Sequence, residues 1–128
     1  MLVLTTGGRD FRDSELVDRV LRWWHNRAYE GEEQLVVLVG DCPTGADAMV
    51  REWCEAKGVI YLLGVAPWNQ QGKRAGPRRN LAMVAAKPDA LVAFPGNKGT
   101  AHCTQAAQAA GIPIYDAKSS RAWMAAHA

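Results

Sequence analysis

Apolar residues are distributed along this chain in two alternating periods. Leu2-Val3-Leu4-Thr5-Thr6, Leu35-Val36-Val37-Leu38-Val39, Val59-Ile60-Tyr61-Leu62-Leu63 and Leu91-Val92-Ala93-Phe94 are continuous β-prone runs. All four read as strands, and the second and fourth have the character of strands covered on both faces. Between them the apolar residues return at helical spacing. Leu16, Val17, Val20, Leu21 and Trp24 form one stripe, which Asp13 or Ser14 is placed to cap. Val50, Trp53 and Cys54 form the inner face of a second helix that Gly58 ends. Cys103, Ala106, Ala107 and Ala110 give a later helix a small-residue face for close packing, and Ile112-Pro113-Ile114-Tyr115 reads as a short last strand. Residues from Ser119 to Ala126 suit a terminal helix. Strands alternating with helices predict an α/β fold: a doubly wound, five-stranded parallel sheet with right-handed crossovers and helices on both faces. Trp23, beside the first stripe, either edges the core or joins a homodimer contact.

With 128 residues, 48% of them apolar, the chain is sized for one domain, 1–128. No apolar run reaches the roughly 18 to 20 residues of a membrane span, and the opening MLVLTTGGRD lacks a basic region and a cleavage site, so a soluble, cytoplasmic protein is expected. Its three cysteines, Cys42, Cys54 and Cys103, lack CxxC spacing and read as free thiols. His102 and Cys103 are adjacent and so diverge on a helix, and neither a metal nor a cofactor is expected. The net charge of +2 is unevenly placed. Lys73, Arg74, Arg78 and Arg79 put four cations in seven residues, leaving 11 basic against 13 acidic side chains elsewhere. One basic spot on a slightly acidic body suits a compact polyanion better than a nucleic-acid duplex.

The stretch from 76 to 107 holds the densest candidate chemistry. Pro77 is predicted at the first helical position, which places Arg78 and Arg79 in the opening turn, where the helix dipole repels cations and favours an anion. The run Leu91–Phe94 leads into Pro95-Gly96-Asn97-Lys98-Gly99-Thr100, a strand, glycine turn and helix start that together make an anion cradle. Two further turns have this character. Gly7-Gly8-Arg9-Asp10 follows the first strand, and Gly40-Asp41-Cys42-Pro43-Thr44-Gly45 follows the second. The latter imitates a P-loop in outline, but Ala46 and Asp47 replace its Lys and Ser or Thr, which removes P-loop ATP hydrolysis. Thr44 is expected to cap the following helix, with Asp47 in its first turn. Trp68 lies in a polar loop where it either stacks on a base or covers the sheet edge.

These residues carry a resemblance. Arg79-Asn80-Leu81-Ala82-Met83, an apolar strand and PGNKGT resemble the RKxxM and PGGxGT blocks of the LOG phosphoribohydrolases, often labelled lysine decarboxylase-like. With TTGGRDF and GDCPTGAD, the chain is more similar still to the YspA-type branch of the SLOG superfamily, over Leu2 to Tyr115. The resemblance implies a Rossmann-like sheet of order 3-2-1-4-5, with the ligand beyond the carboxyl ends of the strands where the order switches sides, between the first and fourth strands. The expected contacts are Gly7, Gly8, Arg9, Gly40, Thr44, Gly45, Trp68, Arg78, Arg79, Pro95, Gly96, Asn97, Gly99 and Thr100.

LOG resemblance also implies hydrolysis of the N-glycosidic bond of a nucleoside 5′-monophosphate by an Arg and a Glu. Arg79 matches the Arg. His102 and Cys103 stand where the Glu is required, and neither stabilises an oxocarbenium-like centre. The favoured expectation is therefore a non-catalytic binder or sensor of a nucleotide or nucleotide-derived phosphate ligand. The alternative is a phosphoribohydrolase with a relocated acid such as Asp10, Asp41 or Asp47, and a DNA-associated protein ranks last. Expected partners are a nucleotide-type small molecule and a second copy of the chain, with no membrane and no nucleic acid.

Overall fold

The computed structural model describes residues 1–65 and 72–119. Trp68 and the terminal helix expected beyond Ser119 lie outside the described residues. The elements run β1 (Leu2–Thr6), α1 (Ser14–Glu30), β2 (Val36–Gly40), α2 (Gly45–Lys57), β3 (Ile60–Gly64), α3 (Ala75–Ala85), β4 (Ala90–Ala93), α4 (Lys98–Ala109) and β5 (Ile114–Asp116). Short 3-10 turns at Gly72–Arg74 and Ala117–Ser119 complete them. All neighbouring strands pair in parallel, in the order β3-β2-β1-β4-β5. The fold is the Rossmann-like one expected. With all strands parallel, the turns after Thr6, Gly40 and Ala93 share one edge of the sheet.

Alternation along the strands divides the core into two layers. Val3, Val37, Val39 and Val92 face α1 and α2, where Val17, Leu21, Trp24, Val50 and Trp53 meet them. Leu4, Leu38 and Leu91 face α3 and α4, against Met83, Val84, Cys103 and Ala107. Each large apolar side chain buried this way stabilises the fold by roughly 1.5–3 kcal/mol relative to exposure. The small residues Cys103 and Ala107 bring α4 close to the sheet, as their spacing predicts. Asp13 caps α1 by accepting from the Leu16 N–H at 3.1 Å. Gly58 ends α2 in the left-handed conformation, with φ of 69°.

Two local expectations are corrected and a third is decided between its alternatives. First, α3 begins at Ala75 rather than Pro77, because the 3-10 turn at Gly72–Arg74 leads directly into it. Pro77 is therefore its third residue, tolerated because the first four N–H groups of a helix have no internal acceptor, and Arg78 and Arg79 fall in the second turn. Second, Thr44 occupies the N-cap position of α2 without a capping bond from its side chain. Its hydroxyl instead donates to the Arg9 carbonyl at 3.0 Å and ties two turns together. Third, Trp23 edges the core, one of its two expected places: it packs partly buried against the α1 layer, edge-on to Trp24 at 5.0 Å and under the Arg27 guanidinium at 5.2 Å. Large apolar side chains are exposed at Tyr29 on α1, at Ile60, Leu62 and Leu63 on the edge strand β3, at Val65 just after it, and at Leu81 on α3.

Candidate functional site

The edge where the three glycine turns meet carries a cavity of about 800 Å³. Its walls are the Gly40 turn (Asp41, Cys42, Pro43, Thr44), the first residues of α3 (Gly76, Pro77, then Arg79 and Asn80) and the start of α4 (Lys98, Gly99, His102), with Arg9 closing one side. Neither α3 nor α4 has an acidic residue in its first turn or a side-chain cap from its N-cap residue. Two positive helix ends therefore face one cavity. Arg9 and Lys98 add exposed cations with no ion-pair partner among the described residues.

Arg79 reaches the cavity across the sheet edge because the residues beneath it are glycines. A Cβ on Gly40 would stand 2.7 Å from Arg79 Nη1, and one on Gly64 would stand 3.4 Å from Arg79 Cδ and 2.5 Å from Met83 Sδ. The guanidinium donates to Asp41 Oδ1 at 3.1 Å, and both side chains are largely buried. It also approaches Asn80 Oδ1, at 3.4 Å from Nε and 3.3 Å from Nη2. The Asn80 amide in turn donates to the Gly99 carbonyl at 3.3 Å and lies 3.4 Å from His102 Nδ1. Asn80 thus holds the arginine-bearing helix against the start of α4.

The Gly40 turn is closed largely on itself. Asp47 Oδ2 accepts from the Cys42 N–H at 3.3 Å, and Arg51 donates to the Gly40 and Cys42 carbonyls, each at 2.8 Å. The Ala46 N–H at the start of α2 donates to the Gly8 carbonyl at 3.1 Å. Gly45, with φ of 70°, admits this contact, since a Cβ there would lie 2.5 Å from Arg9 Cα. The positive end of α2 is therefore used inside the fold, and Gly40, Thr44 and Gly45 position backbone around the cavity.

Gly8 and Gly96 play a similar role. The Gly8 N–H donates to the Pro95 carbonyl at 2.9 Å, and a Cβ on Gly96 would come within 2.7 Å of the Gly8 nitrogen. This close backbone contact joins the turns after β1 and β4. Gly99 differs, since a Cβ there meets nothing within 4 Å and would project into open space. Gly7, Gly8, Asn97 and Thr100 line a smaller inner cavity, and Pro95 and Gly96 line a shallow neighbouring one. Arg78 is exposed and borders none of these three, because one helical residue turns its side chain about 100° away from Arg79.

Sequence reasoning left Asn80, Lys98, Cys42 and His102 out of the expected contacts although it read the turns and motifs that contain them, and it missed Arg51 altogether. Asn80 had a readable signal, since Asn is a poor mid-helix residue unless its amide is engaged. Arg51 had another, one helical turn after Asp47. The thiols divide by depth. Cys103 is buried, which pushes it up to about 11 despite a Thr6 hydrogen bond. Cys54 is pushed up to about 12, again by burial. Cys42 is partly exposed at the cavity. Among the described residues no group of three or more His, Cys, Asp or Glu could hold a metal ion, and no helix is long and apolar enough to cross a membrane.

Residues 1–70 match the model of the YspA, cpYpsA-related SLOG family, which is more than half of the chain. The protein belongs to that family. It is also 38% identical over 120 residues to the Gene 61 protein of Mycobacterium phage D29, covering 88% of this chain and 92% of that protein. Family membership points to a nucleotide-related ligand or a related function. The matched residues include TTGGRDF and GDCPTGAD, whereas RRNLAM and PGNKGT lie beyond them.

Proposed function

We propose that the protein binds a nucleotide or nucleotide-derived ligand through its phosphate and acts as a non-catalytic binder or sensor. The observation that carries this reading is the convergence of the uncapped starts of α3 and α4 on one cavity of about 800 Å³ with Arg9 and Lys98 on its wall. A phosphate at Gly99 and Thr100 would meet the free N–H groups of the first turn of α4, with Arg9, Lys98 and Arg79 in reach. The volume falls within the usual range of about 300–1,000 Å³ for small-molecule sites.

The hydrolase reading keeps one supporting observation, the Asp47 carboxyl in the inner cavity. Asp10 is exposed and borders neither cavity, and Asp41 already pairs with Arg79. Calorimetry against nucleoside monophosphates, dinucleotides and NAD-derived compounds tests binding, and product analysis of the same mixtures tests base release. Submillimolar binding without base release is expected. Absence of binding across the panel rejects the proposal.

A homodimer belongs to the same reading, and its interface is proposed on β3 and α3 instead of Trp23. Ile60, Leu62 and Leu63 are about half exposed on an edge strand whose outer backbone groups have no strand to pair with in the described sheet. Light scattering should give a dimer mass that Leu62→Glu returns to monomer. A monomeric parent at high micromolar concentration rejects this interface.

A further inference from the structure

Behind the large cavity, and sharing Arg9, Cys42, Arg79 and Gly99 with it, lies a polar recess of about 130 Å³. Its wall includes Thr5 and Asp47, only 1% and 8% exposed. Thr5 Oγ1 has no hydrogen-bond partner among the described residues, although it lines a recess open to the ligand cavity. An unpartnered buried hydroxyl is uncommon, because a polar group removed from water normally finds a replacement partner. Thr5 follows Val3 by two residues on β1 and so faces α2, the helix that carries Asp47.

The chemistry of the wall narrows what the recess accepts. At about 130 Å³ it is well below the size of a site for a whole ligand, so only part of one enters. Immediately beside Asp47 a phosphate is disfavoured by the carboxylate, and an ammonium by the Arg9 and Arg79 guanidiniums that line the same recess. A nucleobase finds no aromatic side chain to stack on. A neutral group that both donates and accepts remains, and a hydroxyl does so, donating to the carboxylate while accepting from the threonine.

We infer that this recess is a sugar subsite, in which Asp47 and Thr5 bind the 2′- or 3′-hydroxyl of the ligand's ribose. The inference rests on the phosphate-binding reading above and adds the orientation. The phosphate stays at the start of α4, the sugar edge points inward, and the base occupies the wide outer cavity. The subsite makes the protein selective for ribonucleotides over their deoxy counterparts.

The test is calorimetry with the four ribonucleoside 5′-monophosphates, their 2′-deoxy and 3′-deoxy counterparts, and inorganic phosphate. The proteins are the parent, Thr5→Val and Asp47→Ala. Thr5→Val keeps the side-chain shape and removes only an unpartnered hydroxyl, so it should fold as well as the parent. The parent should prefer a ribonucleotide over at least one of its deoxy forms by about tenfold or more, the worth of a hydrogen bond to a charged acceptor. Both variants should reduce that ratio towards one. Equal affinity for ribo and both deoxy forms in the parent would overturn the sugar subsite and leave the phosphate reading intact. Loss of all binding, inorganic phosphate included, would overturn both. Full discrimination retained in a folded Thr5→Val and a folded Asp47→Ala would place the selectivity elsewhere and also overturn the inference.

Discussion

Arg79 Nη1 lies 3.1 Å from Asp41 Oδ1, so the guanidinium expected to be free for an anion is held by the turn after β2. A phosphate arriving in the cavity shares this arginine with Asp41 and Asn80. Arg79→Ala should therefore do two things at once. It removes a charged contact worth about 1.5–3 kcal/mol to the ligand. It also breaks the mostly buried ion pair with Asp41, which should lower stability by about 1–3 kcal/mol, between the values for exposed and fully buried pairs. Calorimetry and urea unfolding measure the two effects separately. Unchanged affinity for every ligand that the parent binds would make the arginine purely structural.

Gly99→Val separates ligand from fold more cleanly. The new side chain enters open space beside the start of α4, and valine suits a helix slightly better than glycine, so stability should change by less than about 0.5 kcal/mol. Binding should fall at least tenfold, because the branched side chain occupies the approach of a phosphate to the Gly99 and Thr100 N–H groups. A variant that folds normally and binds as the parent does would move the phosphate away from this helix end.

The parallel sheet and its three glycine turns were legible because they follow from period, run length and glycine placement, whereas the strand order came from the resemblance to the SLOG superfamily. The sheet and the turns depend on local sequence and a topology rule. The start of α3 was not legible, since a 3-10 turn at Gly72–Arg74 feeds a helix whose only apolar side chain before Leu81, apart from Pro77, is the small Ala75. The roles of Thr44 and Arg79 were misjudged for a different reason. Both were assigned to their own helix ends, yet both bond to other turns of the chain, Thr44 to the Arg9 carbonyl and Arg79 to Asp41. Gly8, Gly45 and Gly96 illustrate the same limit. Their glycine identity was read as room for a ligand, whereas at these positions another stretch of backbone takes the space.

Asp47 should reveal itself through pH. Burial raises its carboxyl above the ordinary range, an effect that the nearby Arg79 charge and the Cys42 N–H partly oppose. The folded state therefore holds the proton more tightly than the unfolded chain does. Its contribution to stability is fully present below the ordinary carboxylate range, around pH 4, and is lost as pH rises through the raised value. Asp47→Asn carries no such charge, and its side-chain oxygen can still accept from Cys42. Melting temperatures measured from pH 3.5 to 8 should show the variant gaining on the parent as pH increases. A gap that is flat, or that shrinks towards neutrality, would mean the ionised carboxylate is favoured by its surroundings.

Cys42 offers a readout of the cavity independent of binding heat. Cys54 and Cys103 are buried and pushed up to about 12 and about 11, so near pH 8 both remain shielded thiols. Cys42 lies on the cavity wall, partly exposed, with its sulfur 3.9 Å from the Thr44 hydroxyl. A chromogenic disulfide reagent should therefore label one thiol quickly in the native protein and all three after denaturation. A ligand that fills the cavity should slow that labelling in proportion to its occupancy, and the concentration giving half the original rate should equal the calorimetric Kd. Gly99→Val should keep the fast thiol while losing the protection, because its fold is intact and its phosphate contacts are obstructed. Bound ligand that leaves the Cys42 rate unchanged would show that binding occurs elsewhere, and more than one fast thiol would show that the α2 layer, which holds Cys54, or the α4 layer, which holds Cys103, opens in the native state.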